Sequence, residues 1–273
     1  MRTSRSTWPR TLLLTCAAAF SLLPLAVPII TSFGTVSSPA WPIRGITLQW
    51  YREAITDAKY VDALAFSVSI AVLSSALAVV LAGLACYGIS RSSTQAARTA
   101  ESVLMAPLSL PRVVLGFSMF AAYALFAPEL HGSMTAVVSA HLLITLPFAV
   151  ALMAPAFGKS SIRIEEAARD LGKSAVGAVL AAVVPTVRIP ALLAFAFCFW
   201  ASFDEVDASV FLMPPDASTL PVTLLAQLEE NQNPTAAAVS SVLTIVPVAL
   251  VAVGVLVWTR RERRRHDATT KDT

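Results

Sequence analysis

The side chains that could do chemistry in this chain are few, and most sit in apolar surroundings. Asp204, Glu205 and Asp207 lie almost side by side, a spacing at which carboxylates could share a proton or line a passage for a cation. No second acidic cluster in another apolar stretch would complete a catalytic dyad with them. His131, His141 and His266, like Cys16, Cys86 and Cys198, lack the close pairing that a zinc site or redox motif needs. The cysteines read as small core hydrophobes, and His141 as a hydrogen-bonded interior residue, since one imidazole makes no proton relay. Gly172-Lys173-Ser174 has the ending of a phosphate-binding loop, but that loop needs a glycine five positions before Gly172, where Ala167 stands. No strand precedes it, so backbone amides would not cradle phosphates. No metal or cofactor is expected in this chain, and any nucleotide chemistry must belong to a partner.

The elements that position these residues follow from composition. The chain is 56% hydrophobic and 14% charged, with a mean hydropathy of +0.70, against about 25% charged in an ordinary soluble domain. Hydrocarbon about 30 Å thick takes roughly 20 helical residues to cross. Six stretches are long enough: residues 11–33, 63–90, 103–127, 134–157, 189–213 and 236–258. They do not alternate apolar and polar residues as a membrane barrel would, so the expected fold is all-α and polytopic, with six transmembrane helices spanning residues 11–258. Pro24, Pro28, Pro111, Pro147, Pro155, Pro190 and Pro247 fall inside the runs, where neighbouring helices can satisfy the carbonyls they free. Ser67, Ala71 and Ser75, and Ser74, Ala78 and Ala82, place small residues at every fourth position and permit close helix packing. The first run follows Arg2, Arg5 and Arg10 as an export signal would, yet it is too long for one and Ser38-Pro39-Ala40 is a weak cleavage site, so it reads as a retained helix.

Basic residues in short loops stay cytoplasmic. Arg44, Arg52 and Lys59 fall in the first outer loop and Arg112 within the third segment; every other Lys and Arg lies before the first segment, between the second and third, between the fourth and fifth, or in the tail. Residues 1–10 and 259–273 are therefore expected in the cytoplasm, in a cell-membrane protein. Arg260, Arg261, Arg263, Arg264 and Arg265 follow an apolar helix directly, which fits binding to lipid headgroups rather than nucleic acid.

Residues 159–188, between the fourth and fifth segments, are more than a connector needs. Glu165-Glu166-Ala167-Ala168-Arg169-Asp170-Leu171 consists mainly of good helix formers. Gly172 stands where a helix commonly ends in a left-handed residue. Ser174 can cap a second helix from Ala175 to Val184, which Pro185 would end. The expected product is a cytoplasmic helix pair.

Glu166-Ala167-Ala168, three residues, then Gly172 resembles the EAA signature of binding-protein-dependent ABC transporter permeases. In that family an I-x-L-P stretch follows; here it is Ala182-Val183-Val184-Pro185, which keeps the proline and replaces both larger aliphatics. Ser202-Phe203-Asp204-Glu205 running to Phe211-Leu212, Leu220-Pro221-Val222-Thr223 with Asn233-Pro234, Trp50-Tyr51, and Pro111-Arg112-Val113-Val114-Leu115-Gly116 are similar to the polyamine-type members. The likeness covers about residues 48–258. It implies that Glu166, Ala167, Ala168 and Gly172, with Glu165, Asp170 and Pro185 beside them, form a coupling element laid into a groove on a cytoplasmic ATPase. It also implies an ATPase dimer, a second permease subunit and an extracytoplasmic solute-binding protein as partners. The chain itself would be a transport subunit and no enzyme.

Arg112, Asp204, Glu205 and Asp207 are the candidate path residues. Charges at the bilayer centre cost about 2.5–3.5 kcal/mol on insertion scales, so they should face the bundle interior, water or one another. On a continuing helix Asp204 and Asp207 would share a face, with Glu205 about a hundred degrees away. Two roles stay open: lining a path for a cationic substrate, or pairing structurally with Arg112. The rival classes are a secondary transporter, which would usually show inverted repeats, and an intramembrane hydrolase using the three acids.

Overall fold

The computed structural model describes residues 8–35, 45–230 and 234–269. Arg2, Arg5, Ser38-Pro39-Ala40, Arg44, Asn233 and Lys271 lie outside the described residues. Every regular element among those described is helical: α1 (Trp8–Thr31), α2 (Gln49–Thr56), α3 (Ala58–Ser90), α4 (Gln95–Met105), α5 (Arg112–Phe126), α6 (Met134–Met153), α7 (Lys159–Asp170), α8 (Ala175–Ala178), α9 (Val184–Phe203), α10 (Leu220–Glu230) and α11 (Pro234–Thr269). Short 3-10 turns at Ala106–Ser109, Pro128–Leu130, Ala154–Phe157 and Ser209–Phe211, and a π turn at Val179–Val183, complete the set. Among the described residues five helices are long and apolar enough to cross a membrane, and a sixth span forms if the bent pair around residue 110 counts as one.

The chain divides into two compact units, the described parts of Met1–Val61 with Leu224–Thr273, and Asp62–Thr223. In the first, α1 and the short α2 pack on α11. Trp50 Nε1 donates to the Gly34 carbonyl at 2.6 Å, and the Tyr51 hydroxyl lies 2.7 Å from Ser32 Oγ and 2.9 Å from Ser241 Oγ. Cys16 is exposed on α1, contrary to the expectation of a core position; only Cys86 and Cys198 are buried.

The second unit is built on close helix contact. Ala78, Ala82 and Cys86 of α3 meet Ala149, Val150 and Met153 of α6 and Val187, Ala194 and Cys198 of α9 in one apolar cluster. Ser67, Ala71, Ser74, Ser75, Ala78 and Ala82 are all buried, as their spacing predicts. A second cluster joins Ile70 to Ala136, Val137, Ala140 and Leu212.

Three sequence expectations need correction. The third segment, 103–127, is not one helix: the chain bends by 105° between Gln95–Ser109 and Arg112–Phe126. Leu110 (φ −97°, ψ 137°) and Pro111 (φ −60°, ψ 133°) are both extended, because a residue before proline is pushed out of the helical region. Arg112 thus opens α5 instead of lying deep within a span. The fifth segment does not run to Met213. It stops at Phe203, and Glu205 Oε1 accepts the Ala208 N–H at 3.0 Å, so the carboxylate caps a new turn. Asp204 and Asp207 therefore share no helix face. Pro185 does not end the second coupling-loop helix either. Val184 N–H reaches five residues back to the Val179 carbonyl, and the π turn leads α8 into α9 with Pro185 in its first turn, where a missing N–H is cheapest. Interior Pro24, Pro28, Pro147, Pro190 and Pro247 all remain within helices, as expected of packed membrane helices.

Candidate functional site

Two polar clusters in the second unit hold the candidate residues. The first surrounds the loop with the EAA-like sequence. Gly172 adopts φ +85°, and the N–H of Lys173 bonds the Ala168 carbonyl at 3.2 Å, the left-handed helix end that its position predicts. Ser174 caps α8 by accepting the Gly177 N–H at 3.1 Å. Glu166, Ala167, Asp170, Leu171 and Gly172 are exposed and Ala168 is half-buried. Leu171 is 84% exposed, with Ile164 and Val176 also open. Charge and apolar surface thus alternate across the tip of the loop. Pro185 is exposed in the first turn of α9.

Glu165 turns the other way. It is 4% exposed, and its carboxylate accepts hydrogen bonds from the Tyr87 hydroxyl at 2.9 Å, from Arg91 through Nε at 3.0 Å and through Nη2, and from Arg169 Nη2 at 2.7 Å. The Arg91 guanidinium also stacks 3.8 Å from the Tyr87 ring centre. Burial works to raise the Glu165 carboxyl, but hydrogen bonds from Arg91 and Tyr87, the Arg91 charge and the Arg169 bond outweigh it and hold the carboxyl below its ordinary value. Charge counting placed Arg91 and this loop on one side of the membrane; no sequence pattern tied Arg91 to Glu165, 74 residues away.

The second cluster is a chain of buried polar groups. Ser74 Oγ of α3 is 2.9 Å from Ser202 Oγ of α9; Ser202 Oγ is 2.7 Å from His141 Nδ1 of α6; and His141 Nε2 is 2.8 Å from Ser209 Oγ. Ser209 Oγ donates to the Glu205 carbonyl at 3.0 Å. Glu205 in turn pairs with Arg112 Nη1 at 2.7 Å, its side chain fully buried while that of Arg112 is 44% exposed. Asp204 and Asp207 are exposed. Of the four candidate path residues, Arg112 and Glu205 are thus brought together, while the two aspartates remain open beside them. His141 is the interior hydrogen-bonded residue its setting predicts. Gly116 of α5 packs so tightly on this turn that an added Cβ would lie 2.5 Å from Ala208 Cα.

The described residues thus form a helical structure with spans long and apolar enough to cross a membrane, an exposed helical loop and a buried polar chain. No protein-family model matches the chain. It is 24% identical over 270 residues to the putrescine transport system permease protein PotI of Escherichia coli (strain K12), covering 96% of this chain and 94% of that protein. It is 23% identical over 245 residues to the spermidine/putrescine transport system permease protein PotC of the same strain, covering 89% and 91%. To a putative 2-aminoethylphosphonate transport system permease protein, PhnV of Salmonella paratyphi A, it is 26% identical over 244 residues, covering 89% of each. Its fold is similar to a chain in the crystal structure of a bacterial ABC transporter involved in the import of the acidic polysaccharide alginate, with a TM-score of 0.68, 15% identity, and 94% of this chain and 98% of that chain covered. Along nearly its whole length the chain is thus similar in sequence to permease subunits of polyamine and phosphonate transport systems, and in fold to a chain of an ABC transporter.

Proposed function

We propose that this chain forms half of the translocation path of an ATP-driven importer in the inner membrane, with both termini cytoplasmic. Residues 11–258 act as the permease domain, and the loop 159–188 is seated on one subunit of a separate ATPase dimer. A second permease subunit completes the path, and an extracytoplasmic binding protein delivers the solute. The observation that carries this reading is the loop tip, where Leu171 is 84% exposed beside Gly172 at φ +85°. An apolar knob on a rigid turn, flanked by Glu166 and Asp170, suits insertion into a groove of another protein. Glu166, Ala167, Ala168 and Gly172 make that contact. ATP binding draws the loops of the two permeases together, and the helices carry the movement as rigid bodies.

The substrate is a small solute with a primary ammonium group, the chemistry shared by the solutes named for PotI, PotC and PhnV. Exposed Asp204 and Asp207 would contact it, while Glu205 is already committed to Arg112. In proteoliposomes with the co-purified ATPase and binding protein, putrescine should accumulate on addition of ATP with no ion gradient. Uptake that follows an ion gradient and ignores ATP would refute the assignment in favour of a secondary transporter. Asp204→Asn should lower putrescine flux more than complex assembly; equal loss of both would make Asp204 structural.

A further inference from the structure

We infer that Glu165 is a positioning residue that clamps the coupling helix α7 to the end of α3, so that the two move as one body. The inference rests on the loop being the ATPase contact, and adds how a push on that loop reaches the membrane helices. Three side chains converge on this one carboxylate: Tyr87 and Arg91 from the end of α3, and Arg169 from the next turn of α7. Neither oxygen faces a partner, since Glu165 is 4% exposed while its neighbour Glu166 is open. Charge-assisted, multiply bonded contacts of this kind resist sliding as well as separation, because each displaced donor leaves a buried anion short of a partner.

The packing around the clamp is otherwise thin. A cavity of about 300 Å³ lies beside it, lined by Cys86 and Ser90 of α3, Glu101 of α4, Val150 of α6, and Gly158 and Ile162 at the start of α7. α7 packs mainly on α8 and on the turns at Ala154–Phe157 and Val179–Val183, so its connection to α3 is carried by the clamp. Cys86, one residue before Tyr87, is buried on the wall of this cavity and reports natively on any parting of α7 from α3. Cys198, buried in α9, serves as the reference for the rest of the unit.

The test is the rate of N-ethylmaleimide labelling of Cys86 and Cys198 in the full chain in liposomes, with Cys16→Ser removing the exposed thiol. Glu165→Gln and Arg91→Gln should each raise the Cys86 rate by about tenfold or more, as expected from losing a charged hydrogen-bonded pair. Tyr87→Phe should raise it less, and the Arg91/Glu165 double variant should be no faster than the faster single one. Cys198 should stay at its original rate. An unchanged Cys86 rate overturns the clamp, and so does a parallel rise of Cys198, which would mean that the fold as a whole had loosened. In the complex, nucleotide should leave Cys86 labelling unchanged in the parent chain, where α7 and α3 shift together, and raise it in Glu165→Gln with the ATPase still bound, where the push parts them. A nucleotide effect on Cys86 in the parent chain as large as in that variant also overturns the clamp. Failure of the parent chain to hold an ATPase would instead refute the docking reading, leaving the labelling contrast in liposomes standing.

Discussion

Gly116→Ala should destabilise the protein although alanine is the better helix former. Relieving an interior helix of glycine normally gains about 0.8–1 kcal/mol. At residue 116 the new methyl would sit 2.5 Å from Ala208 Cα, 2.8 Å from its carbonyl oxygen and 3.0 Å from its carbonyl carbon. These are backbone atoms, and their turn is pinned by the Glu205 carboxylate on the Ala208 N–H and by His141 on Ser209, so they cannot swing aside as a side-chain end would. Overpacking costs about 1–3 kcal/mol, and contact with fixed backbone belongs at the upper end. After the helix gain, a net loss of about 2 kcal/mol remains. At roughly 2–4 °C per kcal/mol for a chain of this order of size, Tm in detergent should fall by about 4–8 °C. Gly88→Ala in α3 is the control, since nothing lies within 4 Å of its added Cβ; it should be neutral or slightly stabilising. A Gly116→Ala protein with unchanged or higher Tm would refute the close approach of α5 to the Ala208 turn.

Other outcomes follow from the same geometry. Gly172→Val places a β-branched residue at φ +85°, where even an ordinary side chain costs about 1–2 kcal/mol. Co-purification of the ATPase should weaken, while Gly172→Asn, which tolerates that conformation, should retain it. His141→Ala strips partners from Ser202 and Ser209, both buried, at a cost of about 1–3 kcal/mol read as a lower Tm; an unchanged Tm would deny the chain its structural weight. Glu165 has its carboxyl held below the ordinary value by Arg91, Tyr87 and Arg169 against the pull of burial. The folded state therefore binds the proton less readily than the unfolded chain, and its stabilising contribution is complete at neutral pH. That contribution falls away as pH drops below about 4.3, the ordinary glutamate value, towards the lowered folded one. Thermal stability in that acid range should fall less steeply in Glu165→Gln than in the parent chain.

What the sequence made legible was whatever depends on neighbours along the chain. Apolar runs marked helices because a span of hydrocarbon fixes their length, and the Gly172 turn and Ser174 cap were readable because each is a local solution to unpaired backbone groups. Pairings across the fold left no local mark: Arg112 and Glu205 are 93 residues apart, and Tyr87 and Glu165 are 78. The misplaced boundaries share a cause as well. Hydropathy runs on past Phe203 to Met213 and across Leu110-Pro111, but the backbone breaks where a carboxylate captures an N–H or a proline forbids the helical region to its predecessor. A window average of hydropathy registers neither event.

The same distinction bears on what the acidic stretch can do. Three acids within four residues suggest a strongly negative passage, yet Glu205 is spent on Arg112 and on the Ala208 N–H, which leaves Asp204 and Asp207 as the open charges of this stretch. The turn carrying them is held through Ser209, His141 and Ser202 to Ser74 of α3. Ser74 stands 17 residues before Arg91 on the same helical rod, about 25 Å away at 1.5 Å per residue. Given the proposed clamp at Glu165, a displacement of α3 would pull on the turn that presents Asp204 and Asp207. Such coupling needs no wire of special residues between the two ends. A rigid helix with a polar anchor at each suffices, provided each anchor holds more tightly than the apolar packing between them.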